Sequence, residues 1–203
     1  QFFTPPLLCK FIMDCLNPSG TDVVADLTCG MGGFFNFAPA ESNVYGCELD
    51  IKAYKVAKYL YPKANITYGD IRSYSPGIKF DYVVGNPPFN IYWWVDENQI
   101  ISQLYYCQKA AELMKPMGIM ALVVPADDFS DGSLIKEMEK HFSFLGQFML
   151  DKDMFSAIGV YGYETKVQFW QRNSEVDGWI SLPYSTEMTI DAVSLNSAGV
   201  DMV

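Results

Sequence analysis

Residues 23–35 read Val23-Val24-Ala25-Asp26-Leu27-Thr28-Cys29-Gly30-Met31-Gly32-Gly33-Phe34-Phe35. A β-branched, apolar run that ends in an acid and passes into glycines reads as a buried strand feeding a tight loop. The glycines let the backbone turn sharply and let a ligand approach the start of the next element. Their spacing excludes a dinucleotide fingerprint, because the third glycine of G-x-G-x-x-G would fall at Phe35. It also excludes a phosphate-gripping P-loop, since no Lys-Ser/Thr pair follows. Asp26, at the end of the strand, repels phosphate and suits a cationic amine, directly or through water. A plain glycine-rich turn is the competing reading for this loop taken alone.

Outward from this stretch, the pattern alternates between short strands and longer helices. Upstream, Thr4 is predicted to cap a helix whose first turn takes Pro5, with Leu8, Phe11, Ile12 and Cys15 on one face and Asn17, Pro18 and Gly20 as its stop. Strands are predicted at 23–27, 43–48, 65–68, 80–85, 118–124, 144–150 and 166–170, and helices at 51–61 and 98–115. In the second helix Ile100, Leu104, Cys107, Ala111 and Met114 form one apolar stripe, and Pro116 and Gly118 end it. Strands joined by such helices pair in parallel, and right-handed crossovers wind helices onto both faces. The expectation is an α/β, doubly wound sheet over 1–172, with its ligand site at the carboxyl ends of the strands. The stretch 173–203 turns polar, and no fold is predicted for it.

Composition bounds the function. A chain of 203 residues, half of them hydrophobic, has the length and the apolar content for one large domain with a full core. It has no apolar run of about 20 residues and no basic, hydrophobic leader, so a soluble, cytoplasmic protein is expected, with no membrane partner. It starts at Gln1 amid motif-rich sequence, and is therefore read as a piece of a longer protein. A net charge of -10 has the wrong sign for a broad nucleic-acid-binding surface. Five scattered cysteines without a CxxC pair, and a single His141, support neither a disulfide framework nor a zinc site, so reduced core thiols and no metal are expected.

Two further strand ends carry acids. Glu48 lies roughly 20 residues beyond the glycine loop, where a carboxylate in such sheets accepts ribose hydroxyls. Asp70 can accept a hydrogen from an adenine's exocyclic amine, with Ile71 packed on the ring face. Each acid alone reads as a solvated loop residue, but the series describes a ligand with an amine, a ribose and an adenine, which is S-adenosylmethionine or its product. The fourth strand runs into Gly85-Asn86-Pro87-Pro88-Phe89. Paired prolines fix the backbone there, so the Asn86 side-chain carbonyl and the Pro87 carbonyl can converge as two acceptors for a planar NH2 group. Phe89 offers that group's ring a stacking face. A rigid turn with a core phenylalanine is the plainer reading.

Gln1-Phe2-Phe3-Thr4-Pro5, the DxxxGxGG loop, Glu48, Asp70 and Asn86-Pro87-Pro88-Phe89-Asn90 together resemble the S-adenosylmethionine-dependent DNA N6-adenine methyltransferases of the gamma motif order. Within them the likeness is to the modification subunits of type I restriction systems. The resemblance implies a Rossmann-like class I methyltransferase fold, with a mostly parallel seven-stranded sheet and a reversed C-terminal strand. It implies that Phe3 and Thr4 help Asp26, Gly30, Gly32, Glu48, Asp70, Ile71 and Asn86 hold the cofactor. It implies that Asn86, Pro87 and Phe89 act on an adenine flipped out of DNA. Leu27 and Met31 stand where the family's loop usually has proline and a small hydroxyl residue. The aromatic run Ile91-Tyr92-Trp93-Trp94 is read as a lid or base-facing loop, with ordinary packing as the other reading. Arg72 and Arg172 are the only arginines, so a separate specificity domain or subunit is expected to read base edges. The rival functions are methylation of a protein glutamine or of an RNA base amine, and a non-catalytic module that binds cofactor or DNA.

Overall fold

The computed structural model describes residues 3–129, 132–175 and 178–191. Gln1 and Phe2 of the N-terminal motif lie outside them, as do residues 192–203. Helix α1 spans Pro6–Leu16, one residue later than predicted. Pro5 holds the N-cap position and no side chain caps the helix, so Thr4 does not act as a cap. Asn17 closes it in the left-handed region at φ 46°. Its buried face is Leu8, Cys9, Phe11, Ile12, Met13 and Leu16. Cys15, in the last turn of the helix, is exposed, contrary to the predicted stripe. The other four cysteines are buried, and all five are free thiols.

Strands β1 (Val24–Asp26) and β2 (Val44–Glu48) lead to α2 (Ile51–Leu60), which Asp50 caps by accepting from Lys52 N–H and Ala53 N–H. Then come β3 (Asn65–Tyr68), β4 (Phe80–Gly85), β5 (Tyr92–Val95), β6 (Asn98–Ile101) and α3 (Ser102–Leu113). The predicted helix over 98–115 is thus shortened at both ends. Its first four residues pair antiparallel with β5, Trp93 opposite Ile100 and Val95 opposite Asn98, around a two-residue turn with Asp96 at φ 52°. Ile100 and Leu104 satisfy a helical period across the boundary, and this masked the strand. The aromatic run 91–94 accordingly lies at and within a hairpin rather than a loop. After α3 follow β7 (Met114–Pro125), α4 (Gly132–Glu139), β8 (Phe142–Met149), β9 (Thr165–Arg172) and β10 (Thr189–Asp191). α4 was not foreseen.

The main sheet has the order β10-β8-β9-β7-β4-β1-β2-β3, and only β9 runs antiparallel to its neighbours. The seven predicted strands are all present, and β10, from the stretch without a predicted fold, adds an eighth beside β8. Successive strand residues point to opposite faces. One core therefore packs α1 and Ala57 of α2 on Val24, Val44, Val84, Val123 and Val167. The other packs α3 and α4 on Ala25, Val83, Leu122, Val124 and Trp170. Leu8 and Ile12 are fully buried, each worth about 1.5–3 kcal/mol of transfer from water. Among the described residues, no helix is long and apolar enough to cross a membrane.

Candidate active site

Strands β4, β1, β2 and β3 lie side by side and in parallel, so their carboxyl ends open onto one edge of the sheet. A cavity of about 1170 Å³ occupies that edge. It is lined by Phe3, Thr4, Asp26, Gly30, Glu48, Asp70 and Ile71, and equally by Asn86, Pro87 and Phe89. Gly32 alone among the predicted site residues does not line it. At φ 82°, with an added Cβ only 2.8 Å from the Phe35 and Tyr61 rings, Gly32 shapes the loop rather than the cavity wall.

The three acids sit in different environments. Asp26 is almost wholly buried and accepts Thr28 N–H at 3.0 Å. Burial pushes its carboxyl up to about 7, the Thr28 bond opposes the rise, and the nearby Glu48 charge adds to it. Glu48 is buried and doubly engaged, its Oε2 accepting Gly30 N–H and its Oε1 accepting Asp50 N–H, both at 2.7 Å. The second acid thereby fixes the glycine loop at the end of the first strand. Asp70 is gripped by the Arg72 fork, with Nε at 2.9 Å from Oδ1 and Nη2 at 2.6 Å from Oδ2. Those bonds hold its carboxyl below the usual carboxylate range. Arg72 Nη1 also donates to Trp94 O at 3.2 Å, which ties this acid to the hairpin.

Sequence reasoning missed three contributors, Tyr163, Thr28 and Thr165, whereas Trp93 belongs to the aromatic run read as a lid or base-facing loop. Tyr163, in the loop before β9, stacks near Phe89 with ring centroids 6.1 Å apart and planes 13° apart. Its signal was an aromatic residue between Gly162 and the reversed strand. Trp93 lines the cavity and packs edge-on against Tyr105. Thr28 and Thr165 line it too, and each has a buried hydroxyl with no hydrogen-bond partner.

The family model for N-6 DNA methylases matches residues 1–141. The chain belongs to the N-6 DNA methylase family. It is similar to the type I restriction enzyme MjaIX methylase subunit of Methanocaldococcus jannaschii, at 38% identity over 117 residues. That match takes in 49% of this chain and 20% of the relative. It is also similar to the defense against restriction protein B of Escherichia phage P1, at 26% identity over 176 residues, covering 78% of this chain and 8% of that protein. The chain thus spans a fifth or less of the curated relatives it matches. A Listeria monocytogenes protein assigned to the class I S-adenosylmethionine-dependent methyltransferases shares the fold with a TM-score of 0.77. The two are 14% identical, over 95% of this chain and 66% of that one. The M protein of the type I restriction enzyme EcoKI has a TM-score of 0.70 at 23% identity, over 86% of this chain and 44% of its own. The chain therefore has the class I methyltransferase fold. The strand-end acids Asp26, Glu48 and Asp70 line the cavity with acceptors for a cationic amine, ribose hydroxyls and an adenine amine, a set that fits S-adenosylmethionine.

Proposed function

We propose that the chain transfers a methyl group from S-adenosylmethionine to the N6 amino group of adenine in DNA. One observation carries the reading: Asn86, Pro87 and Phe89 share a single cavity with Asp26, Glu48 and Asp70, so a place for a planar amine adjoins a place for the cofactor. When bound, the cofactor supplies an electrophilic methyl on a sulfonium. Phe3, Thr4 and Asp26 hold its amino-acid end. Glu48, its carboxylate oriented by Gly30 and Asp50, accepts ribose hydroxyls. Asp70 accepts the adenine amine of the cofactor, and Ile71 packs on that ring. A carboxylate takes about four hydrogen bonds, so three from Arg72 leave capacity on Oδ2.

On the acceptor side, the target adenine leaves the duplex at a cost of a few kcal/mol, and stacking on Phe89 helps return it. Asn86 and Pro87 accept the two amine hydrogens, which draws N6 toward tetrahedral geometry and keeps its lone pair on the nitrogen. Those bonds strengthen as the transition state forms, so they act on rate more than on binding. With a charge of -10 the chain grips phosphates weakly, and a separate specificity domain or subunit supplies DNA affinity and site selection in a cytoplasmic assembly.

The test is calorimetric titration with S-adenosylmethionine followed by single-turnover transfer to adenine-containing duplex DNA, for the chain and for Asn86→Ala. Cofactor binding in both, with transfer lost in the variant, is expected. Cofactor binding without transfer to adenine, while a glutamine peptide or an RNA amine is methylated, would overturn the substrate assignment. Equal transfer by Asn86→Ala would overturn the mechanism.

A further inference from the structure

Behind the Asn86-Pro87-Pro88-Phe89 turn, the first turn of α3 carries polar side chains with no exposure to solvent. Ser102 and Gln103 are both fully buried. The Ser102 hydroxyl lies 2.5 Å from the Pro88 carbonyl oxygen and 2.8 Å from Gln103 Oε1, two acceptors for its single proton. Gln103 Oε1 also accepts Asn90 N–H at 3.1 Å. Gln103 Nε2 donates to Asn90 Oδ1 at 3.2 Å and to Asp128 Oδ2 at 2.6 Å. The amide of Gln103 thus uses both of its hydrogens and its oxygen, and clasps Asn90 by backbone and side chain at once.

The clasp fixes the conformation of Asn90. This residue holds φ 57°, a left-handed conformation that asparagine tolerates better than other non-glycine residues, and the clasp selects it here. The Asn90 side chain lies beside the Tyr163 hydroxyl, and the Tyr163 ring faces Phe89. An unbroken series therefore runs from α3 through Gln103 and Asn90 to both rings at the acceptor end of the cavity. Burying a glutamine costs several kcal/mol unless every polar atom is paired. An apolar residue would serve packing better, so the pairing points to placement of the turn.

We infer that Gln103, seconded by Ser102, is a positioning residue for methyl transfer, fixing the Asn86–Asn90 turn and Tyr163 through Asn90 without touching cofactor or substrate. The inference rests on the methyl-transfer reading above, but part of its test does not. Gln103→Glu sets a second carboxylate 2.6 Å from Asp128 in place of a donor. The double variant Gln103→Glu with Asp128→Asn exchanges donor and acceptor and restores that bond, although Asn90 Oδ1 loses its donor.

The experiment uses the full chain, with three readouts: calorimetry with S-adenosylmethionine, single-turnover methylation of adenine DNA, and amide hydrogen exchange over 86–91 without ligand. Gln103→Glu is expected to slow transfer about 5- to 150-fold, the scale of orphaned buried hydrogen-bonding groups, while cofactor affinity stays within about twofold. Exchange over 86–91 quickens, and the double variant recovers part of both losses. If Gln103→Glu does not fold, Gln103→Met, of similar volume, is judged by the same readouts. Wild-type transfer rates in the single variant, or cofactor affinity falling in step with rate, would overturn the inference. A wild-type chain that methylates no adenine overturns the functional reading instead, and the exchange data still decide whether Gln103 holds the turn.

Discussion

Gly85, the last residue of β4, interlocks with Tyr106 of α3, such that a Cβ added to Gly85 would lie 2.2 Å from the Tyr106 hydroxyl and 2.5 Å from its Cζ. That hydroxyl donates to Val84 O at 2.6 Å and accepts Leu27 N–H at 3.1 Å. A single phenol therefore joins the ends of β4 and β1, one bearing the Asn86 turn and the other Asp26. The close approach is possible only because residue 85 has no side chain.

Gly85→Ala is expected to destabilise the chain by about 1–3 kcal/mol, the usual cost of overpacking a filled core. Gly20→Ala serves as the control, since a Cβ there meets nothing within 4 Å. Urea unfolding of both variants checks the contrast, and a Gly85→Ala midpoint equal to wild type would refute the interlock.

The sequence carried the main sheet because its central strands are buried on both faces and bounded by glycine, proline and acids, as in Val83-Val84-Gly85-Asn86-Pro87. It carried the strand-end acids because their order along the chain is also their order across the sheet. It misplaced 98–101 because Ile100 fits a helical and a strand period alike. It could not show Gln103, Tyr106 or Tyr163 at the site, since each reaches it through a tertiary contact with a residue far off in the chain. Nor could it show that Arg72 already holds Asp70.

On the proposed reading, Asp26 should make cofactor affinity pH-dependent. Its carboxyl titrates at about 7 in the folded chain. It must lose that proton to face a cationic amine, so S-adenosylmethionine affinity should rise from about pH 6 to about pH 8. Stability should move the other way. Because the folded value lies above the unfolded one of 3.8, the folded state holds a proton the unfolded chain has released. Stability is therefore lost as pH rises from about 4 through about 7, by at most about 1.4 kcal/mol per pH unit. Calorimetry and urea unfolding at several pH values, on wild type and Asp26→Asn, measure both. Identical pH slopes in the two proteins would remove Asp26 from this role.

Glu48→Gln tests a double duty. The amide can accept one of the two N–H groups, but its NH2 then opposes the other, Gly30 or Asp50. Cofactor binding should weaken by about 1.5–3 kcal/mol, the scale of hydrogen bonds to a charged acceptor. An unchanged dissociation constant in a folded variant would exclude Glu48 from the cofactor site.

Phe89 and Tyr163 should act as a pair on the target base. Their planes differ by 13°, and both residues are part-exposed in the cavity wall, so a flat ring can be taken up against them once the loop before β9 yields slightly. Replacing either ring by leucine removes one stacking face, worth about 1–3 kcal/mol per base. The loss should appear in capture of duplex DNA, as a raised KM, and not in cofactor affinity. Tyr163→Phe keeps the face and loses only the hydroxyl beside Asn90, so it should fall between wild type and Tyr163→Leu. A duplex with the target adenine mismatched has already lost its pairing, and should reduce the penalty of both leucine variants. Kinetics on paired and mismatched substrates measure this directly. Wild-type KM for Tyr163→Leu on the paired duplex would show that Phe89 stacks the base alone.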